Sequence, residues 1–146
     1  MKTKYIVIGC LALVILGGVL ITGIIGGIFY LGTSEELTKT ENAGVEFGRK
    51  TDQQGCLDEA IRRFQAATRA GNLITRRTTE HFLYGCFQSC RETTGFCRDA
   101  PKEDAFFTVR KWAQDRCQQI GAGTDDACVS LFTEVSDSCL GKIKRR

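Results

Sequence analysis

The chain has 146 residues, of which 42% are hydrophobic and 25% are charged, with 20 lysine and arginine side chains against 17 aspartate and glutamate. This length suits one domain. All but two of the basic residues and all of the acidic ones follow residue 31, so the body of the protein is close to neutral and gives no reason to expect a nucleic-acid partner.

The first feature along the chain is an uncharged apolar segment from Tyr5 to Leu31. A helix needs about 20 apolar residues to cross the roughly 30 Å hydrocarbon layer of a membrane. A cleavable signal peptide has a core of only about 7–15 apolar residues followed by small residues, whereas this segment is longer and closes on bulky side chains. Residues 5–31 are therefore predicted to be a single membrane-spanning helix that acts as a signal anchor.

The charges on either side of this segment predict its orientation. Lys2 and Lys4 precede it, and Glu35 and Glu36 follow it, so the positive-inside rule places residues 1–4 in the cytoplasm. The remainder is then periplasmic or extracellular. Seven of the eight cysteines lie there, which independently fits an oxidising compartment.

The predicted span is rich in glycine. Its small-xxx-small patterns involve Thr22, Gly23, Gly26 and Gly27, and such patterns let a second helix approach closely. The alternative is compositional, because glycine is generally common in membrane helices.

The rest of the chain predicts a helical domain after a linker. Residues 32–55 are polar and contain several glycines, which indicates a linker with at most one weak helical turn. Within residues 56–146, apolar side chains recur with a helical period in four segments. We expect helices over about 56–70 and 74–92, a third after an Asp99 cap, and a fourth that begins at Thr124–Asp126. The predicted fold is mainly α: one transmembrane helix followed by a small disulfide-stapled bundle of about four helices.

Cysteine spacing narrows the possible disulfides. Seven cysteines follow the predicted span, at Cys56, Cys86, Cys90, Cys97, Cys117, Cys128 and Cys139. Folding the last two helices together brings Cys117 beside Cys128 and leaves Cys97 near Cys139. Folding the first two together brings Cys56 opposite both Cys86 and Cys90, so one of these two is left over. We expect the leftover thiol to be Cys86, buried in the middle of its helix.

Catalytic and cofactor chemistry finds little support. Two thiols four residues apart, Cys86 and Cys90, are able to hold a soft metal such as copper(I) or zinc. A zinc site needs further ligands, and His81 is the only histidine. Structural disulfides are therefore favoured. We expect no catalytic residues, no metal and no cofactor.

Basic residues form one cluster. The segment 60–79 contains five arginines and no acid, at Arg62, Arg63, Arg69, Arg76 and Arg77. Such a patch suits an acidic partner or anionic lipid headgroups, and the alternative is an ordinary solvated hairpin end. Phe107 and Trp112 flank the apolar face of the third helix, where they either widen the core or belong to a contact surface.

These patterns together predict a membrane-anchored, non-enzymatic, extracytoplasmic interaction module or accessory subunit. Its expected partners are membrane lipid and other subunits of a membrane complex, reached through the glycine-rich span and the helical domain. The alternative is a thiol-redox or soft-metal-handling protein that uses Cys86 and Cys90.

Overall fold

The computed structural model describes residues 34–145, and the residues from Leu37 onward pack as one unit. Five helices make up most of this part: α1 over residues 34–48, α2 (Gln53–Arg69), α3 (Leu73–Ser89), α4 (Phe106–Gln119) and α5 (Asp126–Cys139). The mainly helical, disulfide-stapled fold is thus confirmed, with one helix more than the four expected.

Glycines end three of these helices. Gly71 follows α2 with a φ of 65° and Gly121 follows α4 with a φ of 77°, a backbone conformation that side chains with a Cβ rarely adopt. At both ends, the two residues after the cap donate backbone hydrogen bonds back into the last turn, as in a Schellman motif. Gly141 repeats this arrangement after α5. The glycines therefore define both hairpin turns of the domain.

The helices form two antiparallel hairpins, α2–α3 and α4–α5, joined through contacts between α3 and α5. Phe82, Leu83 and Leu131 are completely or almost completely buried at their centre. Arg76 of α3 pairs with Asp125 at the start of α5, with 2.8 Å between guanidinium nitrogen and carboxylate oxygen. The two hairpin turns consequently lie at the same end of the domain.

Helix α1 differs from the linker predicted over residues 32–55. Gly44 and Gly48 lie on one face of α1, and both are buried against α3. A Cβ on Gly44 would clash with the Phe82 carbonyl oxygen, and one on Gly85 of α3 would clash with the Glu41 carbonyl oxygen. Two helix backbones can approach this closely only because neither carries a side chain at the crossing.

The second difference is the start of α4. The sequence predicts a helix that begins after an Asp99 cap, but α4 begins at Phe106, and its cap residue Ala105 makes no side-chain hydrogen bond. Cys97 is bonded to Cys139 at the far end of α5. The loop between α3 and α4, which contains Cys97, is therefore held against α5 instead of extending α4. The start of α5 falls within the predicted Thr124–Asp126 segment: the cap is Asp125, whose carboxylate accepts hydrogen bonds from the backbone of Ala127 and Cys128.

Candidate interaction surfaces

A partly exposed groove with a mixed polar and apolar lining separates α2 from α4. No Cα of α2 lies within 8 Å of a Cα of α4, and the space between them has a volume of about 410 Å³. Its apolar lining comes from three helices and the loop before α4: Leu57, Ile61, Phe96, Trp112, Ile120, Phe132 and Val135. We call this surface the α2–α4 groove. Its volume lies within the range of small-molecule or side-chain pockets, about 300–1,000 Å³.

Arg116 stands at the edge of the α2–α4 groove. One guanidinium nitrogen lies 3.5 Å from the Asp99 carboxylate, and another donates a hydrogen bond to the Gln119 side-chain oxygen at 3.2 Å. The guanidinium carbon lies 5.6 Å from the Trp112 ring centroid. The edge is thus polar and internally paired, while five of the apolar side chains below it are partly buried and two, Phe132 and Val135, are buried in the core.

The predicted arginine cluster is divided by ion pairing in the structure. Arg62 and Arg63 both bind Glu59, at 2.7 and 2.8 Å. Hydrogen bonding from Arg62, supported by Arg63 and both positive charges, lowers the pKa of Glu59 to about 2. Glu59 lies one residue outside the acid-free segment, and for this reason the sequence count misses it. Because Arg76 is held by Asp125, three of the five arginines are paired.

The remaining two arginines lie beside exposed aliphatic side chains. Arg69 ends α2 and Arg77 belongs to α3, and neither makes an ion pair with the residues that the structure describes. Between them, Leu73 and Ile74 are 60% and 63% exposed. We call these four residues the α2–α3 tip. Leu73 and Ile74 were not among the predicted surface residues, although their position directly after the Gly71–Asn72 turn indicates that their side chains are exposed.

A second exposed apolar pair lies at the opposite end of the domain. Phe106 and Phe107 are 67% and 84% exposed and contact each other edge to face, with ring centroids 5.4 Å apart. Trp112, by contrast, packs on Phe132 with centroids 6.1 Å apart. The two aromatic residues that the sequence places beside the apolar face of the third helix therefore have different roles. Trp112 packs into the fold, and Phe107 is exposed on the surface.

The seven cysteines within residues 34–145 form three disulfides, Cys56–Cys86, Cys97–Cys139 and Cys117–Cys128. The last two are the pairs that folding of the predicted hairpins brings together. Helix α2 faces Cys86 rather than Cys90, so the expectation that Cys86 stays unpaired is wrong. Among these seven, the free thiol is Cys90, which is buried, and burial raises its pKa. Since Cys86 is already bonded, Cys86 and Cys90 do not form a free dithiol.

Carboxylates between α3 and α5 form a further feature. Burial raises the pKa of Glu134 to about 7, and the negative charges of Asp137 and Glu80 act in the same direction. His81 lies 3.7 Å from Glu80. Within residues 34–145, no group of three or more histidine, cysteine, aspartate or glutamate side chains is arranged to hold a metal ion.

The predicted span, residues 5–31, lies outside the described residues, as do its packing residues Thr22, Gly23, Gly26 and Gly27. No helix within residues 34–145 combines the length and the hydropathy that crossing a membrane requires.

Comparison of the chain with protein-family models, curated proteins and solved structures found no match.

Proposed function

We propose that this chain is a membrane-anchored, non-enzymatic interaction module, an accessory subunit whose helical domain lies outside the cytoplasm. The uncharged Tyr5–Leu31 segment supports the anchor, and the basic residues before it and acidic residues after it support the orientation. Three disulfides in the helical domain fit an oxidising compartment.

The α2–α4 groove is the observation that carries the interaction role. Seven apolar side chains line it beside a comparable polar surface, and five of the seven remain partly accessible. Its helical walls are stapled on both sides by disulfides. Covering such a surface with an apolar partner removes it from water, at about 25 cal/mol per Å² of apolar area. The rigid walls limit the conformational entropy that the domain loses on binding.

The proposed partners are other subunits of a membrane complex. A helix or loop of a partner subunit would insert apolar side chains into the groove, as in other helix-in-groove interfaces. The small-residue face of the proposed span, formed by Thr22, Gly23, Gly26 and Gly27, would supply a second contact within the bilayer.

Topology is tested with a tag at each terminus of the full chain in intact cells or spheroplasts. External protease is expected to remove the C-terminal tag and the helical domain while the N-terminal tag is spared. Protection of the C-terminal tag would contradict the proposed orientation.

The groove is tested by purifying the full chain from its native membranes in mild detergent. Ile61→Gln places an amide on the groove wall, and Phe107→Gln places the same amide at an exposed apolar residue outside both the groove and the α2–α3 tip. Co-purifying subunits in fixed stoichiometry are expected with the wild type and with Phe107→Gln, and are expected to be depleted with Ile61→Gln. Thermal unfolding of both variants checks that the domain remains folded. Equal recovery of the same subunits with both variants would remove the groove from the proposal.

A further inference from the structure

The α2–α3 tip projects from the domain. Every residue from 68 to 75 is exposed, and a Cβ built on Gly71 would meet no other atom within 4 Å. Leu73 and Ile74 are therefore presented outward on an exposed turn, with Arg69 before them and Arg77 after them. Nothing in the described chain covers the two aliphatic side chains, which are each at least 60% exposed.

The charge at this end of the domain is unbalanced. The nearby acids are already engaged: Asp125 pairs with Arg76 at 2.8 Å, and Asp126 lies 3.6 Å from Arg110. The guanidinium groups of Arg69 and Arg77 have no carboxylate among residues 34–145. An anionic surface that approached the tip would thus meet two positive charges without displacing an existing ion pair.

We infer that the α2–α3 tip contacts the surface of an anionic phospholipid bilayer. Aliphatic side chains enter the boundary between headgroups and acyl chains, while the adjacent guanidinium groups bind the phosphates. This combination of two aliphatic residues between two arginines satisfies both requirements at once. A bilayer also accepts two exposed aliphatic side chains without a complementary pocket, whereas an acidic protein would need a concave apolar site of its own for Leu73 and Ile74.

The inference rests on the proposed membrane anchor. Two arginines and two aliphatic residues bind a bilayer only weakly, since stable attachment of a peripheral protein takes more than one such signal. An anchor in the same chain keeps the tip at high local concentration near lipid, so a weak contact is sufficient. Each arginine near an anionic surface is expected to strengthen the contact about fivefold, and salt weakens this contribution.

The test uses the full-length chain reconstituted into two kinds of vesicle. One kind contains phosphatidylcholine alone, and the other contains phosphatidylcholine mixed with phosphatidylglycerol. Hydroxyl-radical footprinting measures the solvent access of the Leu73 and Ile74 side chains, and flotation after alkaline washing measures insertion. We expect severalfold lower labelling of both residues in the phosphatidylglycerol vesicles, with the difference reversed by high salt.

The charge variant R69Q/R77Q is expected to restore the labelling of Leu73 and Ile74 in phosphatidylglycerol vesicles to the level in phosphatidylcholine. The control variant F106S/F107S removes an equally exposed apolar pair at the opposite end and is expected to leave the tip protected. Peptide mapping of the three disulfides confirms that each variant is folded.

Failure to float with the vesicles overturns the membrane anchor itself. A chain that inserts but shows equal labelling in both vesicle types overturns only the tip contact. Protection that occurs in native membranes but not in protein-free phosphatidylglycerol vesicles also overturns it, and assigns the tip to a protein partner instead.

Discussion

Replacing Gly44 with alanine tests the least expected part of the fold, the close contact of α1 with α3. In an isolated helix this change is favourable by about 1 kcal/mol, because glycine is a poor helix former. In the structure, the added Cβ would lie 2.9 Å from the Phe82 carbonyl carbon and 3.0 Å from the Cys86 nitrogen. Both atoms belong to the backbone and cannot rotate away, so the helices must separate.

Overpacking of this kind costs about 1–3 kcal/mol, and a contact with backbone favours the upper end of that range. The cost exceeds the gain in helix propensity, and we expect a net loss of about 1–2 kcal/mol. For a domain of this size the melting temperature would fall by roughly 5–10 °C. Circular dichroism measures the melting temperature, and amide hydrogen exchange shows whether residues 37–48 lose protection.

The control is Asn42→Ala, at an exposed position two residues earlier on the same helix, where we expect a change within about 0.5 kcal/mol. A Gly44→Ala variant as stable as the wild type, or more stable, would refute the reasoning. Residues 34–48 would then behave as the linker that the sequence predicts.

Three further predictions concern the disulfides, the free thiol and the buried carboxylate. Removing the Cys97–Cys139 bond should cost about 1 kcal/mol more stability than removing the Cys117–Cys128 bond. The two bonds close loops of 42 and 11 residues, and the longer loop restricts the entropy of the unfolded chain more. Denaturant unfolding of the two double-serine variants measures the difference, and the reverse order would contradict this prediction. Iodoacetamide should modify Cys90 only after unfolding, since the thiol is buried with a raised pKa, and peptide mapping that finds native-state modification would count against its burial. The raised pKa of Glu134 means that the folded state holds a proton more tightly than the unfolded state, so stability should fall as the pH rises from about 4.5 to about 7. Glu134→Gln should abolish this fall and be more stable than the wild type at pH 8, and parallel pH profiles for the two proteins would disprove the assignment.

The sequence by itself determined that four helices form two hairpins and where the turns between them lie, but not where α4 begins. Their signals are local: a helical period of apolar residues, glycines that end α2 and α4, and the Asp125 cap of α5. A short turn brings Cys117 beside Cys128 whatever the remaining helices do. For this reason, the Cys117–Cys128 disulfide follows from spacing alone.

Only the tertiary structure decided which long-range partners these elements have. Cys86 and Cys90 lie one helical turn apart on the same face, so the choice between them as partner of Cys56 depends on how α2 is positioned along α3. The pairing of Arg76 with Asp125 likewise depends on helix packing. The Glu59 pairs, by contrast, join residues three and four positions apart on one helix and follow from spacing. Helix α1 was missed because its tightest contacts are made by Gly44 and Gly48. Glycine has no side chain to contribute to a hydrophobic pattern, so a helix that packs through its backbone resembles a linker until its neighbour is in place.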